Sequence, residues 1–139
     1  MNDPLIKKLK LLKQSKHRKV KNQFVAEGKR LVGEAINYGS TVDSLFCTQT
    51  FYNKNVNNWQ GFLKVENSMI KVITDSQFKS ISSTSTPSGI AALCNIPKIP
   101  YIDFKVREWI YLDKIRDPGN LGTILRLSLI HISEPTRRS

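Results

Sequence analysis

The residues best placed to do chemistry lie close together near the end of the chain, from Leu112 to Arg126: Asp113, Arg116, the turn Asp117-Pro118-Gly119-Asn120, then Leu121, Gly122, Thr123 and Arg126. Pro118 and Gly119 suit a tight turn, and Asn120 can cap a helix that begins there by accepting from its orphan amides. Gly122 would let a backbone or a ligand come close. A helix N-terminus behind a strand attracts anions. Arg126 lies nearly two turns beyond Asn120, where its forked guanidinium could hold a phosphate. From residue types alone, two readings stay open: a phosphate or nucleotide site, or a plain strand-to-helix turn carrying a surface arginine.

The second feature is charge. The chain of 139 residues has a formal net charge of +11. Lys7, Lys8, Lys10, Lys13, Lys16, Arg18, Lys19, Lys21, Lys29 and Arg30 face a single acid, Glu27, over that stretch. Such a cluster attracts a polyanion and releases counterions on binding it. Nucleic acid is favoured over a merely solvated basic face. A membrane surface is disfavoured, because no bulky apolar face accompanies the charges. Lys16, His17, Arg18, Lys19 and Lys21 are the candidates for phosphate contact, with Lys29 and Arg30 as additions. Glu27 is favoured as a structural turn residue over a contact to nucleic acid.

These residues need elements to position them. Residues 4–13 read as an amphipathic helix with Leu5, Ile6, Leu9 and Leu12 on one face. The stretch 14–21 reads as a loop or frayed end. Lys29 to Tyr38 reads as a helix stopped at Gly39. Strands are expected at 44–48, 70–73 and 89–95, and the asparagine-rich 53–58 reads as loop. Thr74 or Asp75 is expected to cap a short helix through Phe78 and Ile81. Residues 82–88 form a Ser/Thr/Pro turn region. Strands alternating with helices give an α/β class. Ile96-Pro97-Lys98-Ile99-Pro100 suits an extended linker at 96–106, and a new unit opens with a strand at Trp109–Leu112 followed by the helix-like run 121–126.

Other classes are excluded or disfavoured. No apolar run approaches the length of a membrane span, and the lysines that interrupt the N-terminal apolar residues argue against a secretory signal. Cys47 and Cys94 read as buried free thiols of a reducing, cytoplasmic compartment. No Cys/His spacing suits a metal. An unrelated nucleotide-binding α/β enzyme would need a glycine-rich dinucleotide loop or a phosphate-loop lysine, and neither is present.

Three segments resemble one family. Asp117-Pro118-Gly119-Asn120-Leu121-Gly122, with Thr123 and Arg126, resembles the first motif of the SpoU (TrmH-like, SPOUT superfamily) RNA methyltransferases. Phe24-Val25-Ala26-Glu27-Gly28-Lys29-Arg30-Leu31-Val32-Gly33-Glu34-Ala35 resembles a segment of that family's N-terminal substrate-binding domain, and Ser85-Thr86-Pro87-Ser88-Gly89-Ile90 a turn near that domain's end. Together they span nearly all of residues 5–126.

The resemblance implies an L30e-like α/β/α substrate-binding domain over 1–95, a linker at 96–106, and the first strand-turn-helix of a trefoil-knot catalytic domain at 107–126. It also implies methyl transfer from S-adenosylmethionine to a ribose 2′-hydroxyl of RNA, ribosomal favoured over transfer, by a homodimeric full-length parent. Arg126 would activate the hydroxyl together with an RNA phosphate, and Asn120 would sit beside it. The family's later motifs, which form the knot and the cofactor pocket, do not follow Arg126, so the 139-residue chain is expected to be inactive. The tail 127–139 matches the translation of a sequencing adapter and is expected to be non-native, so His131 belongs to no site. A non-enzymatic L30e-like RNA-binding module is the alternative; the Asp117–Arg126 segment argues against it.

Overall fold

A computed structural model describes residues 3–37, 41–97 and 111–133. The chain divides into two units, Met1–Ile99 and Pro100–Ser139. The first is built on four strands: β1 (Gln23–Glu27), β2 (Thr41–Thr48), β3 (Ile70–Ile73) and β4 (Ile90–Asn95). They lie in the order β1-β4-β2-β3. β4 runs antiparallel to both neighbours, with Glu27 opposite Ala91 and Cys47 opposite Ile90. β2 and β3 are parallel, with Thr48 opposite Ile73.

Period-two alternation divides the side chains between two cores. Phe46, Ile73, Ala91 and Leu93 point to one face, where α1 (Pro4–Leu11) and α6 (Asp75–Ile81) cover them with Ile6, Leu9, Phe78 and Ile81. Leu45, Cys47, Ile90, Ala92 and Cys94 point to the other. There α3 (Lys29–Asn37) supplies Val32 and Ala35, α4 (Gln49–Asn55) supplies Phe51 and Tyr52, and α5 (Gln60–Leu63) supplies Phe62. Phe51, Trp59 and Phe62 meet edge to face, Trp59 to Phe62 at 5.0 Å. The result is an α/β/α sandwich, and the α/β expectation holds for this unit.

Local chemistry explains the ends of these elements. Asp3 caps α1, its Oδ1 accepting from the Leu5 amide at 2.9 Å, with Pro4 in the first helical position, where a missing N–H costs nothing. Thr74, one of the two expected caps, forms a reciprocal capping box with Gln77. Gly28 turns β1 into α3 at φ +104°, and its amide donates to the Ile90 carbonyl at 3.0 Å. Gly89 is buried at φ +79°; a Cβ there would stand 3.1 Å from Thr48 Oγ1 and 3.2 Å from Phe51 Cβ.

Several expectations are corrected. Residues 14–21, read as a loop or frayed helix end, hold helix α2 (Ser15–Lys21), which buries no side chain and so carries no apolar periodicity to read. Its start is tied down from outside its own pattern: Arg18 donates through Nη1 to the carbonyls of Leu12 and Lys13, at 3.0 and 2.6 Å. The asparagine-rich segment is helical as far as Asn55, because Thr48 Oγ1 caps α4 and the Asn55 amide group folds back onto the Phe51 carbonyl. Residues 23–27 form an edge strand that the sequence reading did not predict. Strand β2 begins at Thr41, three residues before the expected start.

In the second unit, α7 spans Pro118–Ser133. It does not stop near Arg126: the run 127–133 has no proline, and the helix continues to the last described residue. Tyr111 and Leu112 lie in no strand, and the rest of the expected strand at 109–110, most of the linker and the Gly39 stop fall outside the described residues.

Both cysteines are buried and free, as expected. Burial alone pushes each thiol from an ordinary 9.0 up to about 11. The folded values lie above the ordinary one, so this contribution to stability is complete below about pH 9. It is lost as pH rises through the folded value. At pH 8 a maleimide should label neither thiol in the native chain and both in denaturant; prompt native labelling would show that the strand core is open.

Candidate nucleic-acid interface and the Asp117–Arg126 turn

The basic candidates all fall in the first unit, but the structure treats them differently. Lys16, Lys19 and Lys21 stand exposed on α2, and His17 is half-buried beside them. Arg18 is half-buried, with Nη1 occupied by the end of α1; only its remaining nitrogens are free to meet a phosphate. Lys29 donates to Asn55 Oδ1 at 2.7 Å, joining the start of α3 to the end of α4. Arg30 pairs with Glu34 one turn on, at 3.3 Å and largely exposed. Such a pair is worth little and yields readily to a competing anion. An uninterrupted supply of cations is thus concentrated on α2, whose C-cap Asn22 adopts φ +51° and ties into Ile96.

Glu27 does structural work. Its Oε1 accepts from Ser82 Oγ at 2.6 Å and Thr84 Oγ1 at 3.2 Å, and its Oε2 accepts from the Ser83 amide at 3.0 Å. The carboxylate therefore fastens the loop after α6 to the end of β1. The sequence suggested this role only by placing a lone acid before the Gly28 turn; its partners lie more than fifty residues away.

At the start of α7 the cap lies three residues before the expected one. Asp117, not Asn120, caps the helix: its Oδ1 accepts from the Gly119 amide at 2.9 Å, and its carbonyl accepts from Leu121. With Pro118 in the first helical position, Asn120 falls inside the first turn and its side chain is exposed. Thr123 donates back to the Gly119 carbonyl at 3.0 Å. Arg126 is exposed on the same helix. Six residues of helix separate Asn120 and Arg126 by about 9 Å along the axis and about 120° around it. The helix alone does not bring them to one point. A cavity of about 590 Å³ opens beside this turn, lined by Lys114, Arg116, Asp117, Asn120 and Thr123, among others; Arg126 does not line it.

Fold and charge together define an α/β/α unit that carries a basic helix on its surface. The chain belongs to the SpoU (TrmH-like) methyltransferase family, and the family model for the MRM3-like substrate binding domain matches residues 3–92. It is similar to the 23S rRNA (guanosine(2553)-2′-O)-methyltransferase RlmP of Bacillus subtilis, 29% identical over 121 residues, covering 87% of this chain and 45% of RlmP. A solved TrmH-family RNA methyltransferase from Porphyromonas gingivalis is 28% identical with a TM-score of 0.65, covering 92% of this chain and 48% of that one. The SpoU methyltransferase AviRb of Streptomyces viridochromogenes, solved in complex with AdoMet, shares the fold at 17% identity and a TM-score of 0.62, over 90% of this chain and 48% of its own. The chain thus spans under half the length of these relatives.

Replacing Glu27 by Ala should lower stability by about 1–3 kcal/mol, the cost of stranding the donors it now satisfies. Urea unfolding checks this; an unchanged midpoint would remove the structural role assigned to that carboxylate.

Proposed function

We propose that this chain is the substrate-binding front part of an S-adenosylmethionine-dependent RNA ribose 2′-O-methyltransferase, with ribosomal RNA favoured over transfer RNA. The observation that carries the reading is the position of α2: a helix with exposed Lys16, Lys19 and Lys21 inside the segment matched by the substrate-binding domain. In this reading residues 1–95 are an L30e-like RNA-binding domain, 96–106 link it to the catalytic domain, and 107–126 open a trefoil-knot domain that dimerises in the full-length cytoplasmic protein. Lys16, His17, Arg18, Lys19, Lys21, Lys29 and Arg30 meet RNA phosphates, through shape and charge rather than a base code.

Arg126 and Asn120 are assigned to the reacting ribose. A guanidinium with a pKa above about 12 is a poor base, so Arg126 serves by positioning the hydroxyl and a neighbouring phosphate, and elements beyond α7 must complete the geometry. The alternative, a non-enzymatic L30e-like binding module, accounts for the first unit and leaves Asp117–Arg126 without a role.

The described residues do not themselves fit the cofactor. The cavity beside α7 is lined by two cations, Lys114 and Arg116, and one acid, Asp117, a balance unsuited to a sulfonium cation. No glycine-rich loop lies among the described residues. Titration calorimetry of the 139-residue chain with S-adenosylmethionine should therefore show no heat of binding; a saturable signal would overturn this. Exchanging Lys16, Lys19 and Lys21 for Ala should weaken RNA binding at least tenfold at low salt. It should also flatten the dependence of log K on log salt by about 2, at about 0.7 per phosphate contact on a single strand. An unchanged slope would remove α2 from the interface.

A further inference from the structure

Strands β1, β2 and β3 all end at one edge of the sheet, where β4 begins. Helices α3, α4 and α6 leave from that edge. Open α/β sheets commonly take ligands in a crevice outside the carboxyl ends of their strands. Here the crevice is a groove of about 460 Å³, within the range of about 300–1,000 Å³ common for ligand sites. Phe51, half-buried, gives it an aromatic wall, and Lys54 and Lys79 stand exposed at its sides. Among the described residues neither lysine is ion-paired. Asn55, Asp75 and Ser88 add hydrogen-bonding groups. Lys29, which does not itself line the groove, donates to Asn55 Oδ1 at 2.7 Å and so holds one of its lining residues.

The geometry points to this groove as a second RNA subsite that takes one unstacked nucleotide. Its base lies against Phe51 and its flanking phosphates lie on Lys54 and Lys79. An aromatic face flanked by cations is the composition that holds a single-stranded base, because every base has a π-face and every phosphate a charge. Asp75 repels phosphate; its carboxylate instead accepts from an exocyclic amine on the base edge. Gly89 keeps the wall open, since its missing side chain would press on Phe51 Cβ and Thr48 Oγ1. The inference rests on the RNA-binding reading above and adds residues outside its set.

The test uses the 139-residue chain and an oligocytidylate of about a dozen nucleotides, whose bases carry the exocyclic amine, with 5-iodocytidine for crosslinking. Lys54→Glu with Lys79→Glu is compared with Lys64→Glu plus Lys71→Glu, an equal change of charge at exposed residues outside the groove. The groove pair should weaken binding at least tenfold and flatten the salt slope by about 1.4, two contacts at about 0.7 each. The control should change affinity less than threefold. Crosslinks should map to the peptide containing Phe51. Equal losses in both pairs, or crosslinks only elsewhere, overturn the subsite. If α2 substitutions weaken binding while the groove pair does not, the subsite fails and the substrate-binding reading stands. If the chain binds no RNA at all, both fail.

Discussion

Strand β4 leaves no face to water. Its first five residues are fully buried, Ala91 and Leu93 in one core and Ile90, Ala92 and Cys94 in the other. A strand covered on both sides must have a hydrogen-bonded neighbour on each edge and a helical layer on each face, since each buried amide needs a partner. β1 and β2 supply the edges. α1 and α6 supply one layer, and α3, α4 and α5 the other. Small residues at 91 and 92 let these layers close over it, and the burial that results pushes the Cys47 and Cys94 thiols up.

That arrangement decides where function can reside. With both faces of the sheet covered, the surface left for a polyanion is the basic helix α2, the outer sides of the covering helices, the loops and the strand ends. α2 buries nothing, so its residues are not committed to packing, apart from Arg18, which holds the end of α1. The strand ends are fixed by the Gly28 turn, the Glu27 clasp on Ser82–Thr84 and the close approach of Gly89 to Thr48. Groups that look like decoration in the sequence thus set the shape of the edge where α3, α4 and α6 begin. The electrostatic term that draws RNA acts over roughly a Debye length, about 8–10 Å at ordinary ionic strength. Geometry at that edge is needed to convert attraction into a defined path for a strand.

Much of the chain was legible in its residues. The amphipathic spacing of Leu5, Ile6, Leu9 and Leu12, the capping pattern at Thr74 and Gln77 and the apolar run of β4 each state a local preference that the fold obeys. The charge cluster pointed to a polyanion and the SpoU-like segments to one family, and the family match agrees with the second. What the sequence left hidden has a common cause: signals whose partners are distant. α2 has no apolar period because it packs nothing, and the asparagines of α4 suggest loop until Phe51 and Tyr52 find the core. β1 is an edge strand recognisable only through its pairing with β4.

The sequence by itself determined the composition of the two cores and the sign and place of the charge, because these follow from residue type and short-range spacing; the tight turn it suggested at Pro118–Gly119 is instead the first turn of α7. Tertiary structure alone decided that Asp117 rather than Asn120 caps α7, that Arg18 is partly consumed by α1, and that Phe51, Lys54 and Lys79 share one groove. These outcomes depend on which groups meet across long stretches of chain or on the phase in which a helix starts, and local preference does not encode either.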